Sequence, residues 1–530
     1  MSRLIIVSNR VGDLDNPAQS GGLAVALADA LRRRGGVWFG WNGEIVTQPV
    51  KDRPVPHRTG EVERIGVPLS RQEFADYYIG YANSVLWPLF HYRLDLIDYR
   101  PPFLRNYRKV NQRFALELSP FVKARDLIWV HDYHLIPLAR QMRRLGASNP
   151  IGFFLHIPFP PPEILAAAPN HVEIVEALLD YDVIGFQTST DLVNFRRYVE
   201  DNVAGAALTS EGVTFKGRLV RTRRFPIGID VDIFAEMADR PNEDVRIEQM
   251  RRHMLQRKQV IGVDRLDYSK GLPSRFQAFE KLLVDNPQLE RKVSFLQIAP
   301  PTRETIDAYS MIRGETEGLA GAINGRFAEF DWTPIRYIHR SVGRDKLASL
   351  YRMSDVGFVT PLRDGMNLVA KEFVAAQNPD DPGVLVLSRF AGAAEDMVDA
   401  VLVNPHDIDE MSRALQTALT MPLGERVERH RALLARVRET DVSVWAASFL
   451  DALARTEERP ATRRRPPRRI APPPPAAGTV GPGGLGYLMT LSPREEETVG
   501  VGREDHKLPK PRKKPTVPAS PDGPGTTGSA

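Results

Sequence analysis

The stretch Thr360–Ala376, TPLRDGMNLVAKEFVAA, constrains the fold more than any other part of this chain. Just before it, Ser354-Asp355-Val356-Gly357-Phe358-Val359 is a short apolar, β-branched run of the kind buried in parallel sheets. Pro361 stops that strand and Asp364-Gly365 makes a turn. From Asn367 onward, Leu368, Glu372 and Ala375 recur at helical spacing. A strand, a glycine turn and a helix start leave several backbone N–H groups unpaired and pointing one way. That suits an anion or a cluster of sugar hydroxyls. Asp364 stands at the helix mouth and Glu372 about two turns inside, so two carboxylates can grip two ends of one polar ligand. The competing reading is an ordinary βα turn in which Asp364 only starts the helix.

The same grammar recurs along the chain. Residues 4–7 form an apolar strand, followed by Ser8-Asn9-Arg10, a polar loop to Gly21-Gly22 and a helical pattern from Leu23 to Arg34. The dinucleotide fingerprint G-x-G-x-x-G is missing there. Leu127–Val130 is a strand ending in His131-Asp132-Tyr133-His134, before a helix expected from Leu135 to Leu145. Ile151–Leu155 ends in His156 and the proline-rich loop Ile157–Pro162, and Val183–Phe186 is a further strand. Polar residues gather beyond the C-terminal strand ends, where open α/β sheets bind ligands. The aromatic runs Trp38–Trp41 and Tyr77-Tyr78 to Trp87-Pro88 are assigned to the core.

Phe225–Asp230 and the charged segment behind it mark a boundary. A second α/β series follows, with strands at Val260–Val263, Val293–Ala299, Ile335–His339, Val356–Thr360, Val384–Leu387 and Val401–Val403. Pro300-Pro301-Thr302-Arg303 is expected to open a helix, and Asp441–Arg455 is a last amphipathic one. Two doubly wound halves, each with polar residues at its strand ends, imply a cleft between them.

The chain has 530 residues, enough for two or three cores, and no cysteine, which excludes disulfides and thiolate chemistry. No apolar run is long enough to cross a bilayer, and Leu4–Val7 is too short for a signal-peptide core, so the cytoplasm is the expected compartment. The net charge of +5 resides in the tail: residues 459–530 carry 13 Lys/Arg against 6 Asp/Glu and 15 of the 43 prolines. The body therefore offers no electrostatic case for nucleic acid. The tail is too poor in apolar surface to form a core, and disorder is expected over 457–530.

Asp264-Arg265-Leu266-Asp267-Tyr268-Ser269-Lys270-Gly271 places a guanidinium and an ammonium in the loop after the second half's first strand. Such a pair can neutralise a departing diphosphate without a metal. Its two aspartates leave a local salt-bridge cluster as the alternative. Asp-x-Asp at Asp13, Asp230 and Asp407 is too short a pattern to imply a metal-dependent transferase. His131 and His134 lack further ligands of recognised spacing, which favours structural roles over a metal site.

The segments SNR with GGLAVAL, LWPLFHYR, WVHDYHL, GFFLHIPFP, GVDRLDYSKGLP and TPLRDGMNLVAKE occur in the order seen in trehalose-6-phosphate synthases, which the chain resembles from about Ser2 to Leu453. The resemblance implies a retaining glycosyltransferase of GT-B architecture: two facing Rossmann-like, doubly wound α/β domains around a cleft. It implies transfer of glucose from UDP-glucose to glucose 6-phosphate, giving α,α-trehalose 6-phosphate and UDP, a role in osmoprotection, and a homo-oligomer. No cofactor and no metal is implied, UDP-glucose being a co-substrate.

The implied domains are an acceptor-binding domain over 1–235, a nucleotide-sugar domain over 236–440 and a closing helix over 441–456. Carried onto matching positions, Gly21, Gly22, His156, Arg265, Lys270, Asp364, Asn367, Leu368, Val369, Ala370, Lys371 and Glu372 are implied to bind the donor, with Glu372 on the ribose. Arg10, Tyr78, Trp87, Asp132 and Arg303 are implied to bind the acceptor, Arg10 and Arg303 on its 6-phosphate. Asp132, His156, Arg265, Lys270 and Asp364 form the implied catalytic set. Val342 departs from relatives with an aromatic residue beside the uracil, which leaves the base preference open. The phosphatase half fused to many eukaryotic relatives is lacking, so the chain looks like a stand-alone, bacterial-type synthase. The alternatives are a sister enzyme with a smaller acceptor such as glycerol 3-phosphate, and a non-catalytic sugar-phosphate sensor.

Overall fold

In the computed structural model, described over residues 2–12, 27–28, 30–32, 34–47, 53–240, 244–254, 257–303 and 306–456, two sheets carry the chain. The first has ten strands among the described residues. In spatial order they are His57–Thr59, Val62–Ser70, Gly36–Val46, Leu4–Arg10, Leu127–His131, Ile151–Phe154, Val183–Phe186, Arg218–Arg224, Gly212–Phe215 and Ala206–Leu208. From Val62–Ser70 to Arg218–Arg224 every pairing is parallel, and the edges are antiparallel. The second sheet is parallel throughout, ordered Ile335–Ile338, Val293–Ile298, Lys258–Val263, Val356–Val359, Val384–Ser388, Val401–Val403. The central strands Ile151–Phe154, Val183–Phe186 and Val356–Val359 are buried at every position, as expected where helices cover both faces of a parallel sheet.

Several elements depart from expectation for local reasons. Gly36–Val46 is a strand where Trp38–Trp41 reads only as aromatic core, and Val62–Ser70 is a strand where no element is expected. The helix expected from Leu135 begins at Leu138 instead, behind a 3₁₀ turn over Tyr133–Leu135, because Pro137 fills the cap position. The segment Pro300–Arg303 opens no helix; the next one begins at Asp307 and Arg303 stays in the loop. The Tyr77–Trp87 region holds a 13-residue π-helix, Phe74–Leu86, leading directly into Trp87–Phe90. Within it Asn83 and Ser84 donate side-chain hydrogen bonds to the carbonyls of Tyr78 and Ile79, five residues back, which fits the wider turn.

The helix Val442–Ala454 returns from the second half to the first sheet. Phe449 stacks on Trp129 at 4.6 Å, and a Cβ added at Gly152 would lie 2.6 Å from its ring. Glycine at that position makes room for the phenyl ring. Two chain segments therefore connect the halves, Phe225–Asp230 and the entry to this helix. They cross so closely that a Cβ at Gly228 would overlap the Thr440 carbonyl. Among the described residues no helix is long and apolar enough to cross a membrane.

Candidate active site

The side assigned to the donor starts at the C-terminal end of Lys258–Val263. Asp267 caps the turn Tyr268–Lys270, its Oδ1 accepting from the Ser269 N–H at 3.0 Å and the Ser269 hydroxyl at 2.9 Å. Gly271 follows at φ 67°, a left-handed conformation that lets the helix Leu272–Asp285 begin at once. This turn points the nearly buried Lys270 at the next strand's loop, where Nζ donates to Asp364 Oδ2 at 2.5 Å. Asn367 Nδ2 donates to the same oxygen at 3.1 Å. Burial alone would raise the Asp364 pKa, but the adjacent ammonium outweighs it and holds the carboxyl below its usual range.

Asp364 does not start the helix. Asn367 caps Leu368–Ala376, at φ 79°, with its Oδ1 accepting from the Ala370 N–H at 3.1 Å. The N–H groups of Leu368 and Val369 have no intrahelical partner, whereas Ala370's is taken by the cap. Lys371 departs from expectation in its side chain, which is engaged by protein groups. Its buried Nζ donates to the Ile227 carbonyl at 2.8 Å and to Thr440 Oγ1 at 3.0 Å, tying together the two segments that join the halves. Burial lowers its pKa to about 8. Glu372 is half-buried, and desolvation raises its carboxyl to about 7 against the pull of Arg344.

The side assigned to the acceptor is built on the first sheet. Asp132 follows the strand Leu127–His131 at φ 74°. Its N–H donates to the Phe154 carbonyl, and its Oδ1 accepts from the His156 N–H at 3.2 Å. Burial pushes its carboxyl up to about 6. Arg303, at φ 48°, extends from the second half across to the first. It donates to Tyr309 Oη at 2.8 Å and Tyr133 Oη at 3.0 Å, lies 3.5 Å from Asp267, and sits 4.0 Å over the Trp87 ring. Three of the six non-glycine residues at positive φ among the described residues, Asp132, Arg303 and Asn367, thus lie in this cleft. Such strain persists where surrounding structure fixes it, typically at ligand sites. Tyr78 stacks on His134 at 5.8 Å and packs beside Trp41, over which the exposed Arg10 lies at 5.7 Å.

Two of the contacts between the sides bear directly on the site. Arg265 is exposed and lies 5.6 Å from the same Trp87 ring that carries Arg303, so cations assigned to different substrates share one indole. The loop aspartates bind elsewhere, Asp264 to Arg275 at 2.7 Å and Asp267 to Arg303, which sets aside a self-contained salt-bridge cluster around Arg265. At the second meeting point a Cβ on Gly365 would sit 2.1 Å from the His156 carbonyl oxygen. Asp364 is held from behind, its N–H donating to the Phe390 carbonyl and its carbonyl accepting from Gly392, so this turn cannot retreat. Gly365→Ala is therefore expected to wedge the halves apart and to lower kcat/KM about tenfold or more, with the far-ultraviolet spectrum unchanged. Wild-type kinetics in that variant would show that the contact is dispensable.

Gly21 and Gly22 lie outside the described residues, as do Asp13 and the tail from 457. Asp230 and Asp407 are helix caps accepting from Ile233 and Glu410, and a further Asp-x-Asp, Asp180-Tyr181-Asp182, has its carboxylates paired with Arg140, Arg143 and Arg218. Val342 packs, half-buried, against the core. Among the described residues no three His, Asp or Glu side chains converge as metal ligands. Sequence reasoning missed Tyr133, Tyr309, Asp267 and His91. The last is buried beside Trp87, with Nδ1 2.8 Å from the Trp87 carbonyl, and burial lowers its pKa to about 4. Its signal was present, since His91 lies within the LWPLFHYR segment.

The fold and sequence agree with known proteins. The family model described as glycosyltransferase family 20 matches residues 8–455. The trehalose-6-phosphate synthase of Salmonella arizonae is 46% identical over 464 residues, covering 87% of this chain and 97% of that protein. A UDP-forming alpha,alpha-trehalose-phosphate synthase of Burkholderia xenovorans, solved in complex with glucose-6-phosphate, superposes with TM-score 0.81 at 49% identity, covering 85% of this chain and 100% of that one. An E. coli structure bound with UDP-2-fluoro glucose gives 0.82 at 43% identity, covering 86% and 99%. Two sheets with their strand ends turned to one cleft are thus the GT-B arrangement. With its cap, turn and cations all inside the matched span, the chain belongs to glycosyltransferase family 20.

Proposed function

We propose that this cleft transfers glucose from UDP-glucose to glucose 6-phosphate with retention, releasing UDP and α,α-trehalose 6-phosphate, and that the residues divide the work as follows. Arg265, Lys270 and the Leu368 and Val369 N–H groups receive the diphosphate, and Glu372 the ribose. Asp364 and His156 hold hydroxyls of the transferred glucose. Asp132, Tyr78 and Trp87 shape the acceptor pocket, and Arg10 and Arg303 take the 6-phosphate. The anomeric C–O bond to the diphosphate breaks as the acceptor's anomeric oxygen bonds to the same face, and the departing phosphate oxygen accepts the acceptor's proton. Lys270 carries this reading. Its ammonium is nearly buried and already balanced against Asp364, so it can meet charge that develops on the leaving oxygen with little reorganisation. A carboxylate nucleophile is disfavoured, because Asp364 Oδ2 is engaged by two donors and Asp132 Oδ1 by the His156 N–H.

The deciding experiment incubates the protein with UDP-glucose and a panel of phosphorylated acceptors and identifies products by mass. Preference for glycerol 3-phosphate would move the chain to the sister activity, and no transfer at all would leave the sensor. A homo-oligomer, cytoplasmic residence and osmoprotection belong to the same proposal.

Two further outcomes are expected. Turnover should persist in EDTA, because protein cations supply the charge otherwise given by a metal; activity lost in EDTA and restored only by a divalent ion would overturn this. UDP-glucose binding should tighten as pH rises through about 7, where Glu372 ionises and its carboxylate becomes the stronger acceptor for ribose hydroxyls. Glu372→Gln should flatten that dependence, and calorimetric titration across the range would show an unchanged slope if Glu372 faces no ribose.

A further inference from the structure

His131 takes no part in the roles above, yet it is fully buried at the end of the strand Leu127–His131, and its Nδ1 lies 3.1 Å from His156 Nε2. The rings stack with centroids 5.3 Å apart; Trp129 lies 4.5 Å from His131, and Trp445 packs against both rings, 6.3 Å from His131 and 6.1 Å from His156. Burial lowers both pKa values, that of His156 to about 3 and that of His131 well below the usual range, so both rings are neutral and share a single hydrogen.

That hydrogen has two possible homes. If His156 donated from Nε2, His131 would accept at Nδ1 and carry its own proton on Nε2. That atom is buried with no hydrogen-bond partner, so an N–H would be stranded among aromatic rings. If His131 donates from Nδ1, the stranded atom is a bare lone pair. Unsatisfied buried N–H donors are rarer than unsatisfied acceptors, so the second arrangement is favoured.

We infer that His131 is a positioning residue that donates from Nδ1 to His156 Nε2 and thereby fixes His156 as the Nδ1–H tautomer, presenting a hydrogen-bond donor to the transferred glucose. This rests on the placement of His156 at the donor sugar. A glucose hydroxyl can serve as acceptor there while its own hydrogen remains available to Asp364. The opposite tautomer would meet the sugar with a lone pair and compete with Asp364 for the same hydrogen.

The test reads the tautomer directly in the intact wild-type protein. Histidine labelled with ¹⁵N gives long-range proton–nitrogen spectra, assigned through His131→Asn and His156→Asn. The expected result is a protonated Nδ1 and a bare Nε2 on His156; a proton on His156 Nε2 overturns the inference. In kinetics, His131→Phe keeps the ring but removes the donor and should lower kcat roughly tenfold, the scale of one hydrogen bond, with KM for glucose 6-phosphate unchanged. His131→Asn, whose amide donates from nearly the same place, should recover most of the loss. Equal kcat values in the Phe and Asn variants would also overturn it. If His156→Ala turns over like wild type, the placement of His156 fails instead; if only His156→Ala is impaired, the tautomer control fails. Should His131→Phe not fold, the wild-type spectrum decides alone.

Discussion

Lys270→Met should lower kcat by about a hundred- to a thousandfold, the range for removing one preorganised charge from a transition state. The side chain is nearly buried, its Nζ lies 2.5 Å from Asp364, and the turn that aims it is fixed by the Asp267 cap and Gly271. Methionine keeps the stem's volume and removes the ammonium, so the loss isolates charge. UDP affinity should fall less than kcat, because the ammonium matters most as the diphosphate departs. A second signature follows from Asp364. In the wild type Lys270 holds its pKa down against burial, so the carboxylate's stabilising contribution is present above the unfolded carboxyl pKa and is lost as pH falls through the lower folded value. Without Lys270, burial prevails and the folded pKa rises. The acid limb of the variant's rate profile should therefore move to higher pH. Pre-steady-state kinetics across pH, alongside titration with UDP, would measure both. A variant that loses UDP affinity but keeps kcat would show that Lys270 only binds.

The strand, turn and helix around Asp364 were legible because each rests on local chemistry: a β-branched run, a proline stop, a glycine turn and helical spacing. The loop after Lys258–Val263 was legible for the same reason. What escaped depends on contacts distant in sequence. Nothing in FADYYIGYANSVL separates a π-helix from an α-helix, since the wider turn is supported by Asn83 and Ser84 reaching back to backbone carbonyls. Lys371 stands next to Glu372 and looked like part of the donor grip. Its direction is set by Ile227 and Thr440, more than sixty residues away on either side. The strand Gly36–Val46 was hidden by its aromatics: the adjacent Trp38 and Phe39 point to opposite faces and are both buried, so no simple polar–apolar alternation appears. Arg303 was found by motif. The bonds that orient it, from Tyr133 in one half and Tyr309 and Asp267 in the other, become visible only once the halves face each other.

Arg303→Met should damage acceptor binding and stability together, whereas Arg10→Ala should damage acceptor binding alone. Arg303 is buried against Asp267, which is fully buried itself. Burial would raise the Asp267 carboxyl, but Arg303, Arg265 and Lys270 together hold it at about 2. Its stabilising contribution is therefore present at neutral pH and is lost only as pH falls through about 2 in the wild type. Methionine removes the nearest cation and leaves the carboxylate with the Tyr309 hydroxyl, the Ser269 N–H and hydroxyl, and two more distant charges. Breaking a buried pair costs on the order of 3 kcal/mol, and the remaining partners keep the loss at or below that. Arg303→Lys should not rescue binding, because one ammonium cannot bond Tyr133, Tyr309 and a phosphate in the geometry the guanidinium fork allows. Arg10 is exposed and its described contact is with the face of Trp41, so its removal disturbs no buried charge. Losing one charge-assisted contact to a phosphate should weaken glucose 6-phosphate about ten- to a hundredfold in Arg10→Ala and at least as much in Arg303→Met. UDP binding without acceptor should stay near wild type in Arg10→Ala. Titration with each ligand, together with thermal unfolding, would separate the two variants. If Arg10→Ala weakens UDP as strongly as Lys270→Met does, the cations are not divided between donor and acceptor. Trp87, which lies beside both Arg265 and Arg303, would then mark a single shared phosphate site.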